Sequence, residues 1–367
     1  MSGGPVGVAV VGAGVISGQY LTNLTAFPDV RVLGVADLDE ARAAQVAERH
    51  GVPVSGGLDA VLALPEVEIV VNLTVPAAHA AVALACLRAG KHVYGEKPLA
   101  LDAEEAAKVL ATAADLGLRV GNAPDTFLGA GIQSALRALR SGLVGEPLAV
   151  RAAIQNLGPE SWHPSPEFFY QPGGGPLFDL GPYYLTALTA LLGPAARVSA
   201  TTRRARAERV VGSGPKAGTV FPVEVPTHVE ALIDFTGGAG GAATFSFDSP
   251  LDRRLIEVVG TEGALSLPDP NTFEGPLLAR GLRDADWREL PVEGTVAGRG
   301  IGVLDLARSI RAGVPHRASG ELALHVLEIM TAVTESGERG EFRRVRSAPA
   351  VPEPLPPDWD PHAATLT

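Results

Sequence analysis

Short apolar runs alternate with stretches of helical period through the first third of the chain. Residues 6–11 read Val-Gly-Val-Ala-Val-Val, a continuous apolar run of the kind found in a parallel strand buried on both faces. Ile16, Tyr20, Leu21 and Leu24 then recur at helical spacing, and 30–35 is a second β-branched run. The alternation continues with helices over 40–50 and 58–64 and a strand over 68–74 closed by Val75-Pro76. A helix follows over 77–89, stopped by Gly90, then a strand over 92–94, a helix over 103–116 and a strand over 119–121. Regular βα alternation predicts a doubly wound parallel sheet whose ligands bind at the C-terminal strand ends.

Beyond about Asn122 the rhythm changes. An amphipathic helix over 132–141 leads to a strand over 148–154, and strands over 198–204, 228–235, 242–247, 255–259 and 264–267 follow. Strands without intervening helices predict an open, mostly antiparallel sheet with helices on one face, closed by helices over 301–312 and 320–336. The expected organisation is therefore α/β: a dinucleotide-binding Rossmann domain over 1–122, a substrate-binding α+β domain over 123–345, and a proline-rich tail over 346–367 that is either docked or loose.

The turn Gly12-Ala13-Gly14-Val15-Ile16-Ser17-Gly18 gives the first sheet its chemistry. Gly12 permits a tight turn, and Gly14 lets backbone approach a pyrophosphate at the N-terminus of the following helix. Asp37 ends the second strand about 20 residues past the third motif position, where a carboxylate accepts from a ribose 2′-hydroxyl. The third glycine of the fingerprint is replaced by Ser17. A carboxylate at 37 repels a 2′-phosphate and so favours NAD, while Arg42 in the next helix leaves NADP possible.

At 367 residues, with 46% hydrophobic and 19% charged residues, the chain is long enough for two packed domains. A net charge of −11 argues against a nucleic-acid partner, and no apolar run reaches the roughly 20 residues of a membrane span. The lone cysteine, Cys86, reads as a small buried hydrophobe. Without a disulfide framework or a basic leader, a cytoplasmic location is expected. The histidines have no metal-ligand spacing, so no metal is expected.

Lysine is scarce: Lys91, Lys97, Lys108 and Lys216 are the only four among 30 basic residues. Lys97 stands out in Gly95-Glu96-Lys97-Pro98 at the end of a predicted parallel strand, because a lysine, unlike an arginine, can take part in proton transfer. The other three read as solvated lysines.

The glycine turn, Thr74-Val75-Pro76-Ala77-Ala78-His79, and Gly90-Lys91 through Glu96-Lys97-Pro98 resemble the Gfo/Idh/MocA family of NAD(P)-dependent oxidoreductases. So does the glycine-rich segment leading to Asp179, and the resemblance runs from Val6 to about Arg344. It implies a cofactor site built from Gly12, Gly14, Val15, Ile16, Asp37, Leu73, Thr74, Pro76, His79, Glu96 and Lys97. It also implies hydride transfer between the nicotinamide and a secondary alcohol or ketone of a sugar, inositol or related polyol, and a homodimer or homotetramer. Lys97 would orient the hydroxyl and Asp179 would hold substrate or base.

The family places a histidine where Tyr183 stands here. Residues four apart share a helix face, so Asp179 and Tyr183 can serve one site, with Tyr183 as proton acceptor. Alternatively, Asp179 caps a helix with Pro182 in its first turn. His163 is the other possible proton acceptor, and Asp125, Trp162 and His228 are further substrate-site candidates. A reductase of a non-carbohydrate substrate, such as a cyclic imine or tetrapyrrole, and a non-catalytic ligand-binding regulator remain as other readings.

Overall fold

The computed structural model describes residues 3–366. The chain divides into two compact units, one made of 1–130, 294–324 and 352–367, the other of 131–293 and 325–351. The first unit thus takes in two later stretches that the sequence reading placed in the second domain and the tail.

The first unit is built on a six-stranded sheet of order β3-β2-β1-β4-β5-β6. The strands are β1 (Val6–Val11), β2 (Val30–Ala36), β3 (Val54–Gly56), β4 (Ile69–Asn72), β5 (His92–Gly95) and β6 (Val120–Asn122), all pairing in parallel. Helices α1 (Ser17–Leu24), α2 (Glu40–His50), α3 (Leu58–Leu62), α4 (His79–Arg88) and α5 (Ala103–Asp115) connect them. Every residue of β1 and β4 is buried, as their continuous apolar sequences require. Cys86 lies fully buried in α4, and burial pushes its thiol up to about 12, which fits an inert packing residue.

The tail is docked. Asp29, fully buried, accepts from Thr365 N–H at 2.8 Å, Leu366 N–H at 2.9 Å and Thr365 Oγ1 at 2.6 Å. Arg308 joins the same carboxylate at 2.7 Å, donates to Ala363 O and stacks on Trp359. A strap without regular structure is held by satisfying one buried charge from four sides.

The second unit is organised by a nine-stranded sheet of order β16-β15-β14-β13-β7-β12-β11-β8-β17. Helix α6 (Ala130–Arg140) precedes β7 (Pro147–Gln155), and α7 (Gly175–Leu192) precedes β8 (Ala195–Arg203). The small pair β9 (Glu208–Val210) and β10 (Val220–Pro222) stands outside the main sheet. The sheet continues with β11 (His228–Phe235), β12 (Gly240–Ser246), β13 (Arg253–Gly260), β14 (Gly263–Leu267), β15 (Leu277–Gly281) and β16 (Arg288–Leu290). Helix α8 (Ile301–Ala312) falls in the first unit, and α9 (Gly320–Arg339) precedes β17 (Arg343–Arg344). Only β7 and β12 pair in parallel; the other neighbours are antiparallel. Strand β11 alternates buried and open positions, so one sheet face is covered, and α7 packs across β7, β11 and β12. No helix among the described residues is long and apolar enough to cross a membrane.

Candidate functional site

Parallel register sets the site's frame. Val11 pairs with Ala36 and Asn72, and Gly95 pairs with Asn72 and Asn122, so five strands end in one row. The residues that follow (Gly12, Asp37, Leu73, Glu96 and Ala123) share that edge. The chain order reverses between β1 and β4, which is the switch point where open α/β sheets bind ligands.

Gly12 has φ +101°, and a Cβ there would meet Leu73 O at 2.5 Å, so no other residue fits the turn. A Cβ at Gly14 would meet nothing within 4 Å, which leaves open room for a bulky anion against the backbone. Ser17, at the third glycine's position, is buried and donates from Oγ to Gly14 O at 2.7 Å, so the serine pins the turn. Val15 and Leu38 stand fully exposed beside the turn and beside Asp37. Apolar side chains extended into solvent at this edge suit a planar ligand face. The turn, the start of α1 and the carboxylate at 37 therefore fit a dinucleotide.

Asp37 accepts from Ala13 N–H at 2.7 Å, Asp39 N–H at 2.9 Å and Arg42 at 2.6 Å. Burial alone would raise its carboxyl, but hydrogen bonds from Arg42, Asp39 and Ala13 outweigh burial and hold it below the usual carboxylate range. The acid is thus ionised and already aimed at the turn.

Several expected cofactor-site residues are joined by hydrogen bonds along this edge. Thr74 donates from Oγ1 to Asn72 Oδ1 at 2.6 Å, and Asn72 Nδ2 donates to His79 O at 3.0 Å. The buried His79 ring bridges Pro98 O at 2.6 Å and Thr74 O at 3.0 Å, tying the segments after β4 and β5 together. Pro76 opens the short turn of 3-10 helix Pro76–Ala78. Glu96 accepts from Tyr20 and from Lys97 N–H. The Lys97–Pro98 peptide is cis, and Lys97 is half-buried.

Asp125 is fully buried and accepts from Gly300 and Gly302 N–H at 2.8 and 3.2 Å, holding the start of α8 with Arg299 alongside. Burial pushes its carboxyl up, opposed by Arg299 and the two glycine amides. Lys91, expected to be solvated, is instead buried, and its ammonium donates to Leu64 O and Val67 O at 2.8 and 2.7 Å. It caps carbonyls that the turn after α3 leaves open. Lys108 is exposed, and Lys216 pairs with Glu167 at the surface.

In the second unit, Asp179 and Tyr183 lie one turn apart inside α7. The alternative in which Asp179 caps the helix is corrected: α7 begins at Gly175, and Pro182 sits in its interior. Gly175 has φ +84°, and a Cβ there would approach Pro226 O at 2.9 Å; this, not a side-chain cap, sets the start. Asp179 is half-buried and Tyr183 buried. His163 lies among the rings of Trp162, Phe168 and Phe169 at 5.3–5.5 Å, and its Nδ1 accepts from Ser165 N–H at 3.1 Å. Trp162 and Phe168 are more than half exposed. His228 pairs within the sheet, with Nδ1 2.9 Å from Ser246 Oγ and Nε2 3.3 Å from Glu230. Among the described residues no group of three or more His, Cys, Asp or Glu side chains is placed to hold a metal.

Sequence reasoning missed the roles of Tyr20, which read only as part of a helix's apolar face, and of Arg299. It also missed Arg209. This buried residue joins Glu160 and Asp248, and Tyr170 also donates to Glu160. The network holds the loop that carries His163.

Comparison with known proteins adds to this geometry. Residues 6–123 match the oxidoreductase family with an NAD-binding Rossmann fold, GFO_IDH_MocA, and 132–266 match the GFO/IDH/MocA C-terminal domain. The trans-1,2-dihydrobenzene-1,2-diol dehydrogenase of Sus scrofa is 31% identical over 289 residues, covering 77% of this chain and 79% of that protein. The chain belongs to the Gfo/Idh/MocA oxidoreductases. Gfo/Idh/MocA membership makes the first unit an NAD-binding Rossmann domain, as the strand-end row indicates. Two solved structures share the fold. An NAD-binding oxidoreductase from Klebsiella pneumoniae has a TM-score of 0.83 at 24% identity, covering 94% of this chain and 99% of its own. Levoglucosan dehydrogenase in complex with NADH and L-sorbose has a TM-score of 0.79 at 21% identity, covering 94% and 100%.

Proposed function

We propose that the protein is an NAD-linked dehydrogenase that interconverts a secondary alcohol and a ketone on a sugar, inositol or related polyol. One observation carries this reading: the glycine turn, Asp37 and Lys97 follow strands that end in a single row at the switch point. Gly12, Gly14, Val15 and Ile16 would hold the pyrophosphate side of the cofactor, and Asp37 the adenine ribose. Leu73, Thr74 and Pro76 would shape the edge between the two ends. When bound, NAD supplies the hydride acceptor. Asp37, ionised and fixed by three donors, would repel a 2′-phosphate and favours NAD over NADP.

Lys97 would donate to the substrate oxygen and stabilise the negative charge that develops there. Tyr183, or His163 through its Nε2, would take the hydroxyl proton, and Asp179 would hold a neighbouring hydroxyl. Trp162 and Phe168 offer stacking faces to the C–H face of a ring. The dihydrodiol dehydrogenase relative supports a second substrate class, a cyclic diol that is not a carbohydrate, handled by the same groups.

The test incubates the protein with NAD or NADP and a panel of levoglucosan, myo-inositol, L-sorbose and trans-1,2-dihydrobenzene-1,2-diol, following reduced nicotinamide. Turnover of a polyol with NAD, and slower turnover with NADP, is expected. NADH binding with no turnover across the panel would favour the ligand-binding regulator instead.

A further inference from the structure

Tyr20 sits in the middle of α1, the helix that follows the glycine turn, and is fully buried. Its hydroxyl donates to Glu96 Oε1 at 2.8 Å, and the other carboxylate oxygen accepts Lys97 N–H at 2.9 Å. Glu96 N–H in turn donates to Asn72 O at 2.9 Å. A single carboxylate therefore joins the phosphate-side helix to the backbone of residue 97. Tyr94, the neighbouring phenol, makes a sharp contrast. It is equally buried, yet its hydroxyl has no hydrogen-bond partner among the described residues. Filling space at this depth does not require a hydroxyl, whereas Tyr20 spends its hydroxyl on the residue before Lys97.

We propose that Tyr20 is a positioning residue for Lys97, acting through Glu96. The proposal rests on the reading of Lys97 as the group that meets the substrate oxygen. Two donors fix both oxygens of the Glu96 carboxylate, and one of those donors is the Lys97 amide. Removing the phenol leaves one oxygen of the half-buried carboxylate without its donor, which costs enough to let the group rotate. The amide of residue 97 then loses its fixed acceptor, and the lysine side chain loses its aim. A displacement of about 1 Å at a reacting group costs up to about a hundredfold in rate.

The experiment compares Tyr20→Phe with Tyr94→Phe, which removes a neighbouring hydroxyl that has no hydrogen-bond partner among the described residues. The readouts are kcat and KM on the best substrate of the panel, NADH affinity, melting temperature, and competitive acetylation of Lys97 by acetic anhydride. The exposed Lys108 is the internal reference for acetylation. In Tyr20→Phe, kcat should fall about tenfold with KM and NADH affinity held, and the pH profile of Lys97 acetylation should shift. Tyr94→Phe should behave as wild type. If Tyr20→Phe fails to fold, Glu96→Gln takes its place and should show the same loss and the same altered acetylation profile. Unchanged kcat and acetylation in a folded Tyr20→Phe, with Lys97→Met inactive, would overturn the positioning role alone. Full activity of Lys97→Met would overturn the reading of Lys97 and the positioning role with it.

Discussion

The strand-end edge of the first unit and the His163 loop of the second fix their chemistry by opposite means. At the edge, candidate groups follow strands held in parallel register, so each position is dictated by neighbours close in sequence and by backbone pairing. Around His163, a loop with little regular structure is held by Arg209, which lies 49 residues from Glu160 and 39 from Asp248 along the chain. Local pattern suffices for the first arrangement. The second depends on one buried cation, and removing it should do far more damage than any change at the edge.

Arg209→Ala is therefore expected to have the largest effect. It leaves Glu160 and Asp248 without their shared cation and should destabilise the protein by about 3–5 kcal/mol in chemical denaturation. A loss below about 1 kcal/mol would show that the loop is held by its aromatic cluster instead. Gly12→Ala should follow, through positive φ and the 2.5 Å approach to Leu73 O. Strain of about 1–3 kcal/mol or more should appear mainly as lost NADH binding, read by fluorescence, with the His163 loop intact.

The buried His325 sharpens the comparison through pH. Its Nε2 accepts from Ala195 N–H at 2.9 Å, and burial, opposed by Glu328 and a hydrogen bond with Ser347, lowers its pKa from 6.5 to about 4. The folded state prefers neutral imidazole. Its contribution is complete above pH 6.5 and is lost as the pH falls towards about 4. The loss should reach about 3 kcal/mol at most, and His325→Gln should flatten that part of the stability profile. The smallest effect is expected for Asp37→Ser. NAD affinity should weaken about tenfold, while Arg42, freed from its partner, should improve NADP binding. Unchanged discrimination would remove Asp37 from cofactor choice.

The same contrast explains what the sequence revealed. The parallel strands, the turn at Gly12, the carboxylate at 37 and the helix Ile301–Ala312 were legible because period and spacing encode them directly. The start of α7 was not, because it is set by the close approach of Gly175 to Pro226, about 50 residues away. Lys91 read as solvated because nothing in its own segment shows the Leu64 and Val67 carbonyls waiting for it. Tyr20 read as part of a helix's apolar face, but the partner of its hydroxyl lies 76 residues on. The tail's docking was likewise hidden, since it depends on the buried Asp29 and Arg308.

Lys97 is the group whose removal tests the account most directly. Lys97→Met should keep NADH affinity within about twofold of wild type while turnover of the best panel substrate falls by about a thousandfold or more. Retained turnover, or loss of NADH binding in step with turnover, would contradict it.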